Sequence, residues 1–516
     1  MTPRLAAALC TSLALAACSP GVAAPAAAPV PAVSTDPAGA SPSASPSASA
    51  GPASPRPTPT AVALRWRSCQ PGFQCSTLRV PLDDRAPAKG TLDLALTRVL
   101  ATGPATRIGS LVVNPGGPGA SAVQFLQQAA TELPAAVRAR FDLVAFDPRG
   151  VGGSAPIRCE STAQLDRYFH LDPAPTDARG LAALDAGNTA FAAGCQQRSG
   201  RLLPHVSTAA VARDMDRVRA ALGDDKLTYL GYSYGTALGA SYLEQFPTRV
   251  RAMVLDGAID PTLSWDQLLA GQSRGFDVAF KAYLADCERT RCAFRQAVSG
   301  DLGAAYDALA ARVRTAPLSG DATRTVGPGE FTLGVTAGLY SKQYGWPAIS
   351  AGLAAAEQGQ GSALLALSDS YLERTSAGYA NLTESNFAVN CLDRPWPRTD
   401  APYLDLARTV GRSYPRFGPL IILSGLGCSV WPVPAAGRPH PVRAAGAPPV
   451  VVIGTTRDPA TPYVWAQGLA RQLASSVLLT HVGDGHTAYR ASARACLTGP
   501  VDAYLLTGRA PRAATC

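Results

Sequence analysis

Leu227-Thr228-Tyr229-Leu230-Gly231-Tyr232-Ser233-Tyr234-Gly235-Thr236 runs from a β-rich segment, across two glycines, into a stretch of helical spacing that continues to Phe246. A Gly-x-Ser-x-Gly run is weak by itself, since a glycine-rich chain of this length contains roughly a few tenths of one by chance. Its setting between strand and helix gives it weight. Glycine at 231 and 235 lets the backbone turn sharply and the next helix pack close, which lifts the Ser233 hydroxyl above the end of the strand. The stretch predicts a strand-turn-helix unit with a candidate nucleophile at its apex.

Outward from this unit, short apolar runs alternate with longer amphipathic ones, the pattern of a mainly parallel sheet covered by helices. Leu111-Val112-Val113, Leu143-Val144-Ala145-Phe146, 227–231 and Met253-Val254-Leu255 are the expected strand cores. Between two of them, 208–222 places Val211, Met215, Val218 and Leu222 on one helical face. The alternation stops after Asp260-Pro261 and resumes at Pro449-Val450-Val451-Val452-Ile453-Gly454, followed by a helical run 463–473 and a last strand, Val477-Leu478-Leu479-Thr480. Residues 262–446 are Ala- and Leu-rich with few strand signals, and read as an inserted, mostly helical cap. The expected division is a core segment 62–261, the cap 262–446 and a second core segment 447–516.

A serine hydroxyl needs a base, and the chain has five histidines: His170, His205, His440, His481 and His486. His486, in Gly483-Asp484-Gly485-His486-Thr487 beyond the last strand, can reach the carboxyl edge of the sheet; His481 lies closer to the strand body. Lys226 sits at the wrong end of the Ser233 strand. The carboxylate that orients the imidazole is expected to be Asp458, in Thr456-Arg457-Asp458-Pro459 after another strand, with Asp484 and Asp256 as rivals. An acyl-transfer oxyanion needs two N–H donors; Tyr234 offers one, and Gly117 in Asn114-Pro115-Gly116-Gly117-Pro118-Gly119 the other, because Pro118 has none. Asp147 and Arg149 read as braces of a turn, and Thr461 as a neighbour of Asp458.

The N-terminal stretch speaks for export. Arg4 precedes an apolar run, 5–17, too short to span a bilayer, and 1–17 reads as a signal peptide. Leu15-Ala16-Ala17-Cys18 resembles a bacterial lipobox, which implies lipid on Cys18; ordinary secretion with cleavage at an Ala-rich site downstream is the alternative. Residues 18–61, rich in Ala, Pro and Ser, form a linker that cannot bury a core and that extends on the order of 100 Å at ~3 Å per residue. Ten further cysteines are disulfide candidates in an oxidising compartment. Pairing neighbours gives Cys69 with Cys75, Cys159 with Cys195, Cys287 with Cys292, Cys391 with Cys428 and Cys496 with Cys516, although spacing alone leaves the connectivity open. No metal-ligand spacing is present in the sequence, and no cofactor is implied. Lys and Arg exceed Asp and Glu by 46 to 37, but almost all the basic residues are scattered Arg, so nucleic acid is not an expected partner.

With these motifs in hand, the chain resembles the secreted actinobacterial tripeptidyl aminopeptidases, relatives of the proline iminopeptidases within the α/β-hydrolase fold. The resemblance rests on Asn114-Pro-Gly-Gly-Pro-Gly, Phe146-Asp-Pro-Arg-Gly-Val-Gly-Gly-Ser154, Gly231-Tyr-Ser-Tyr-Gly-Thr236, Asp458-Pro-Ala-Thr-Pro462 and Gly485-His486, over about 64–516. Pro115 and Pro148 stand where the iminopeptidases carry His and Gln, which favours the tripeptidyl branch. It implies hydrolysis near a free peptide N-terminus through an acyl-enzyme on Ser233. Such an enzyme must recognise an ammonium group, and Glu384 and Asp393, around Asn386 and Asn390, are the cap carboxylates offered for it. The triad alone argues only for acyl transfer, so an esterase or amidase of the same fold, or a non-catalytic surface-binding lipoprotein, are the competing readings. Peptide N-termini are the expected substrate, and the membrane is touched only through the anchor.

Overall fold

A computed structural model describes residues 64–516; the expected signal peptide 1–17, Cys18 and the whole linker 18–61 lie outside the described residues. Strands β1 (Arg67–Gln70), β2 (Phe73–Pro81) and β3 (Thr91–Val99) form an antiparallel ribbon. It pairs through β3 with β5 (Phe141–Phe146), and from there the sheet is parallel: β4 (Gly109–Asn114), β6 (Leu227–Tyr232), β7 (Val250–Asp256), β8 (Val450–Arg457), β9 (Ser476–Asp484) and β10 (Ala514–Thr515). The spatial order is β1-β2-β3-β5-β4-β6-β7-β8-β9-β10. None of the ribbon's three strands was among the expected strand cores.

Strand alternation sorts the apolar residues to two faces. Val112, Val144, Tyr229, Met253 and Val452 pack on one side against the helices Thr208–Ala221, Tyr234–Gln245 and Tyr463–Gln472. Leu111, Leu143, Leu230, Val254 and Ile453 pack on the other, against Ala122–Ala129, Ala135–Arg140 and Ala495–Thr507. Burying each such Val or Leu contributes about 1.5–3 kcal/mol, so the central strands, covered on both faces, are a rigid base for the loops at their carboxyl ends.

Register brings those ends level. Asn114 lies opposite Gly231, Tyr232 opposite Asp256, and Asp256 opposite Ile453. The chain after each of these strands therefore emerges on one edge, where the strand order reverses around β4, the usual place for a ligand crevice in an open parallel sheet.

Above that edge sits the cap, with its own apolar core. Helices from Trp265–Thr290 to Leu426–Ser429 pack Phe276, Phe280, Phe331, Phe387, Phe417 and Trp431 together. The structure corrects one boundary. Residues 162–199, expected within the core segment 62–261, place Phe169, Leu184, Phe191 and Cys195 in the cap cluster, and the Phe191 and Phe387 rings lie 5.2 Å apart. A helix between two strands normally covers the sheet, and its periodicity does not say which neighbour it will meet. Among the described residues, five disulfides join the neighbouring cysteines; Cys159–Cys195 and Cys391–Cys428 fasten cap segments.

Candidate active site

Ser233 stands between β6 and the helix Tyr234–Gln245 with φ 53° and ψ −123°, a conformation a non-glycine residue adopts only when its surroundings impose it, at about 1–3 kcal/mol. The restraints are visible. Ser233 N–H donates to the Asp256 carbonyl at 2.8 Å, and the Ser233 carbonyl accepts from Thr236 N–H at 2.8 Å and Thr236 Oγ1 at 2.6 Å. The flanking glycines are obligatory: a Cβ on Gly231 would sit 2.4 Å from the Gly235 carbonyl oxygen, and one on Gly235 2.9 Å from that of Asn114.

The loop after β4 presses directly on this turn. Asn114 Oδ1 accepts from Gly116 N–H at 3.0 Å, and Gly116, Gly117 and Gly119 all have φ between 104° and 107°. A Cβ on Gly116 would lie 2.8 Å from Ser233 Cβ and 3.0 Å from Tyr234 N, so glycine is what allows the loop to approach the Tyr234 N–H. From the cap, Asn386 Nδ2 donates to the Pro118 carbonyl at 3.1 Å and Asn390 Nδ2 to Asn386 Oδ1 at 2.9 Å, holding the loop from the other side.

Asp458 and His486 meet beside it. His486 Nδ1 is 2.9 Å from both Asp458 oxygens, and Asp458 Oδ1 also accepts from Ala460 N–H and Thr461 N–H at 2.9 Å. A carboxylate only accepts, so the proton belongs on Nδ1 and the Nε2 lone pair is left available. Nε2 is buried and has no hydrogen-bond partner among the described residues. The imidazole is further fixed by its backbone N–H to the Tyr340 carbonyl at 2.9 Å and by the Tyr340 ring, edge-on at 5.0 Å between centroids. The ring lies against Gly257, where a Cβ would be 3.1 Å from His486 Cε1. Gly257 follows Asp256, whose carbonyl holds Ser233 N–H, so the serine and the imidazole flank one turn.

The rival groups are occupied elsewhere. Asp484 is ion-paired with Arg457 at 2.5 Å and Lys342 at 2.9 Å. Asp256 Oδ2 accepts from Ala488 and Tyr489 N–H at 2.8 and 2.7 Å, bracing the segment after His486, and burial pushes its carboxyl up to about 6. His440 pairs with Glu244 at 2.7 Å. His170 pairs with Glu330 at 3.2 Å. Asp147 accepts from Ser121 Oγ and Gly153 N–H, both at 2.8 Å, and Arg149 makes a two-pronged bond to buried Asp214 at 2.7 and 2.8 Å; both brace turns, as expected.

A cavity of about 40 Å³ opens at Ser233, with Gly117, Tyr234, Thr461, Asn390 and Asp393 in its wall. Asp393 reaches it as the last residue of the helix Leu382–Asp393, accepts from Thr208 N–H at 2.9 Å and from Thr208 Oγ1, and is linked through Thr208 Oγ1 to the Tyr234 hydroxyl at 2.6 Å. Burial pushes Asp393 up to about 6. Glu384, the other carboxylate offered for ammonium recognition, is not in that wall. It is 2% exposed beside Arg158, Cys159 and Glu160, where burial pushes it up to about 7. Nine residues separate the two on one helix, two and a half turns, so they face apart. Tyr340, in contact with His486, was absent from the sequence-derived set because its approach is a long-range contact with no local signal.

The family model described as alpha/beta hydrolase fold matches residues 109–489. The chain belongs to that family. Serine protease Hip1 of Mycobacterium tuberculosis is 40% identical over 454 residues, covering 85% of this chain and 86% of the relative. Carboxylesterase B of the same species is 38% identical over 473 residues, covering 86% and 88%, and tripeptidyl aminopeptidase of Streptomyces lividans is 33% identical over 454 residues, covering 87% and 84%. This alpha/beta hydrolase fold protein is thus an enzyme, a serine hydrolase that groups with these actinobacterial relatives, and the reading as a non-catalytic binding protein falls.

Proposed function

We propose that this enzyme is an exported serine exopeptidase that cleaves peptide bonds near a free N-terminus, releasing tripeptides through an acyl-enzyme on Ser233. The observation that carries the chemistry is the His486 imidazole, bonded through Nδ1 to both Asp458 oxygens with Nε2 left open, beside a serine held at positive φ. Ser233 Oγ attacks the scissile carbonyl as its proton passes to His486 Nε2, and the carbonyl π pair moves onto oxygen, facing the N–H groups of Tyr234 and Gly117. Collapse breaks the C–N bond, the imidazolium returns its proton to the leaving amine, and water repeats the cycle on the ester. Asp458 keeps the imidazole in one tautomer and stabilises its cation throughout.

The peptide assignment draws on the relatives named serine protease and tripeptidyl aminopeptidase, and on Asp393, a carboxylate in the cavity wall suited to an α-ammonium group. The relative named carboxylesterase supports a second reading, hydrolysis of a small acyl ester. Free and N-blocked tripeptide amides separate the two: the exopeptidase cleaves only the free amines at an appreciable rate, and equal rates on both exclude it. Five disulfides favour an oxidising, extracellular location, with the chain held at the outer membrane face through Cys18 and touching the bilayer only through that lipid. Nucleic acid has no part in this reading.

A further inference from the structure

A second cavity, of about 90 Å³, lies inside the cap, walled mainly by apolar side chains including Phe169, Leu184, Phe276, Phe387 and Leu420. Two helices carry both cavities along their length. On Trp265–Thr290, Leu268 lines the Ser233 cavity, Gln272 lines both, and Phe276 lines the cap chamber, one helical turn at each step. On Leu382–Asp393, Phe387 lines the chamber while Asn390 and Asp393 line the Ser233 cavity. At 1.5 Å rise per residue the two spaces lie roughly 6–12 Å apart along these helices, about two to three residues of an extended peptide.

Gln272 is the partition. It is 5% exposed, and Nε2 donates to the Ala460 carbonyl at 3.0 Å, which fixes the side chain across the boundary. Beyond it the chamber holds one polar feature of note. Asn188, 3% exposed, accepts from the Tyr168 hydroxyl through Oδ1 at 2.9 Å, but its Nδ2 is buried with no partner among the described residues. A buried donor left unpaired is costly, and a carbonyl oxygen arriving with the ligand would satisfy it. Phe276 also packs on Tyr340, with ring centroids 6.0 Å apart, and Tyr340 in turn lies on His486. The chamber thus reaches His486 through two ring contacts.

We propose that the cap chamber is a substrate subsite for a large apolar side chain on the acyl side of the scissile peptide bond, and that Gln272 sets how much of that side chain it admits. This rests on the reading of Ser233 as nucleophile. A peptide satisfies both features of the chamber, apolar bulk for the walls and a main-chain carbonyl for Asn188 Nδ2, whereas a plain hydrocarbon chain leaves the amide unpaired.

The test uses free-amino tripeptide p-nitroanilides that carry Ala, Leu or Phe at each position in turn, with kcat/KM compared as the ratio of large to small. Gln272→Ala, which joins the two spaces, raises the Phe-to-Ala ratio at one position about tenfold. Thr336→Phe and Ser424→Phe, which fill the chamber from separate wall segments, bring the wild-type Leu-to-Ala ratio at that position to about one. Fluorophosphonate labelling identifies the variants that retain a folded site. Ratios unchanged at all three positions in the labelled variants overturn the proposal. So does a response confined to the chain-length profile of p-nitrophenyl esters, which assigns the chamber to an acyl chain. Failure of the underlying reading looks different: Ser233→Ala then hydrolyses every peptide as fast as the wild type.

Discussion

Along the carboxyl edge of the sheet, backbone geometry places the proposed reacting groups; in the cap, side chains from distant parts of the chain build the wall that faces them. Ser233 is forced to positive φ by hydrogen bonds from its own strand pair and helix, and Gly116, Gly231 and Gly235 stand where any Cβ would meet backbone atoms. The cap wall of the same cavity is assembled from Gln272, Asn390 and Asp393, joined through side-chain bonds to Ala460, Asn386 and Thr208. The first arrangement permits almost no substitution, while the second leaves room for specificity to change without disturbing the chemistry. That contrast is the physical form of a site grafted onto a common fold.

The contrast can be broken from either side. Asp458→Asn keeps the shape of the sheet edge but removes the acceptor pair that fixes the imidazole, and is expected to lower kcat about 10⁴-fold, read from single-turnover hydrolysis of a tripeptide anilide. Next comes stability. Arg149 is 1% exposed and makes the two-pronged bond to Asp214, so Arg149→Ala leaves that buried carboxylate with Arg217, at 3.2 Å, as its remaining cation and is expected to cost about 3 kcal/mol in urea unfolding. Gly116→Ala drives a Cβ toward Ser233 and Tyr234 N at a φ of 104°, and a loss of about 10²- to 10³-fold in kcat with labelled, folded protein is the expected sign of a damaged oxyanion site.

The smallest effect belongs to the cap. With its carboxyl pushed up to about 6 by burial, Asp393 is anionic at pH 7 and becomes neutral as pH falls below 6, losing its attraction for an ammonium group. KM for free-amino peptides should therefore rise between pH 7 and pH 5, and Asp393→Asn should raise KM about tenfold at pH 7 and abolish that pH dependence. If the variant shifts kcat and leaves KM and its pH dependence alone, Asp393 serves the fold and not the ammonium.

The same contrast explains what the sequence disclosed. The strand-turn-helix around Ser233, the glycine loop 114–119, and Asp458 and His486 beyond their strands are all local patterns, each constrained by rules of backbone geometry that one segment carries alone. Their meeting follows from the parallel sheet, because the chain leaves successive parallel strands at one edge. Glu384 and Asp393 could not be ranked that way, since helical spacing tells that they face apart but not which of them faces the cleft. The helices within 162–199 were likewise legible as helices, while their partner, the cap and not the sheet, depended on long-range packing of Phe169 and Phe191. The ribbon strands β1 and β2 carry exposed faces and mixed polarity, which weakens the alternation that marks a strand.

Ser233 is the residue proposed to be acylated. Reaction of the folded protein with a fluorophosphonate, followed by mass spectrometry of its proteolytic peptides, tests this directly. A single phosphonyl adduct on Ser233, suppressed in His486→Ala, is the predicted result; an adduct on another residue, or folded active protein that takes no label, would contradict it.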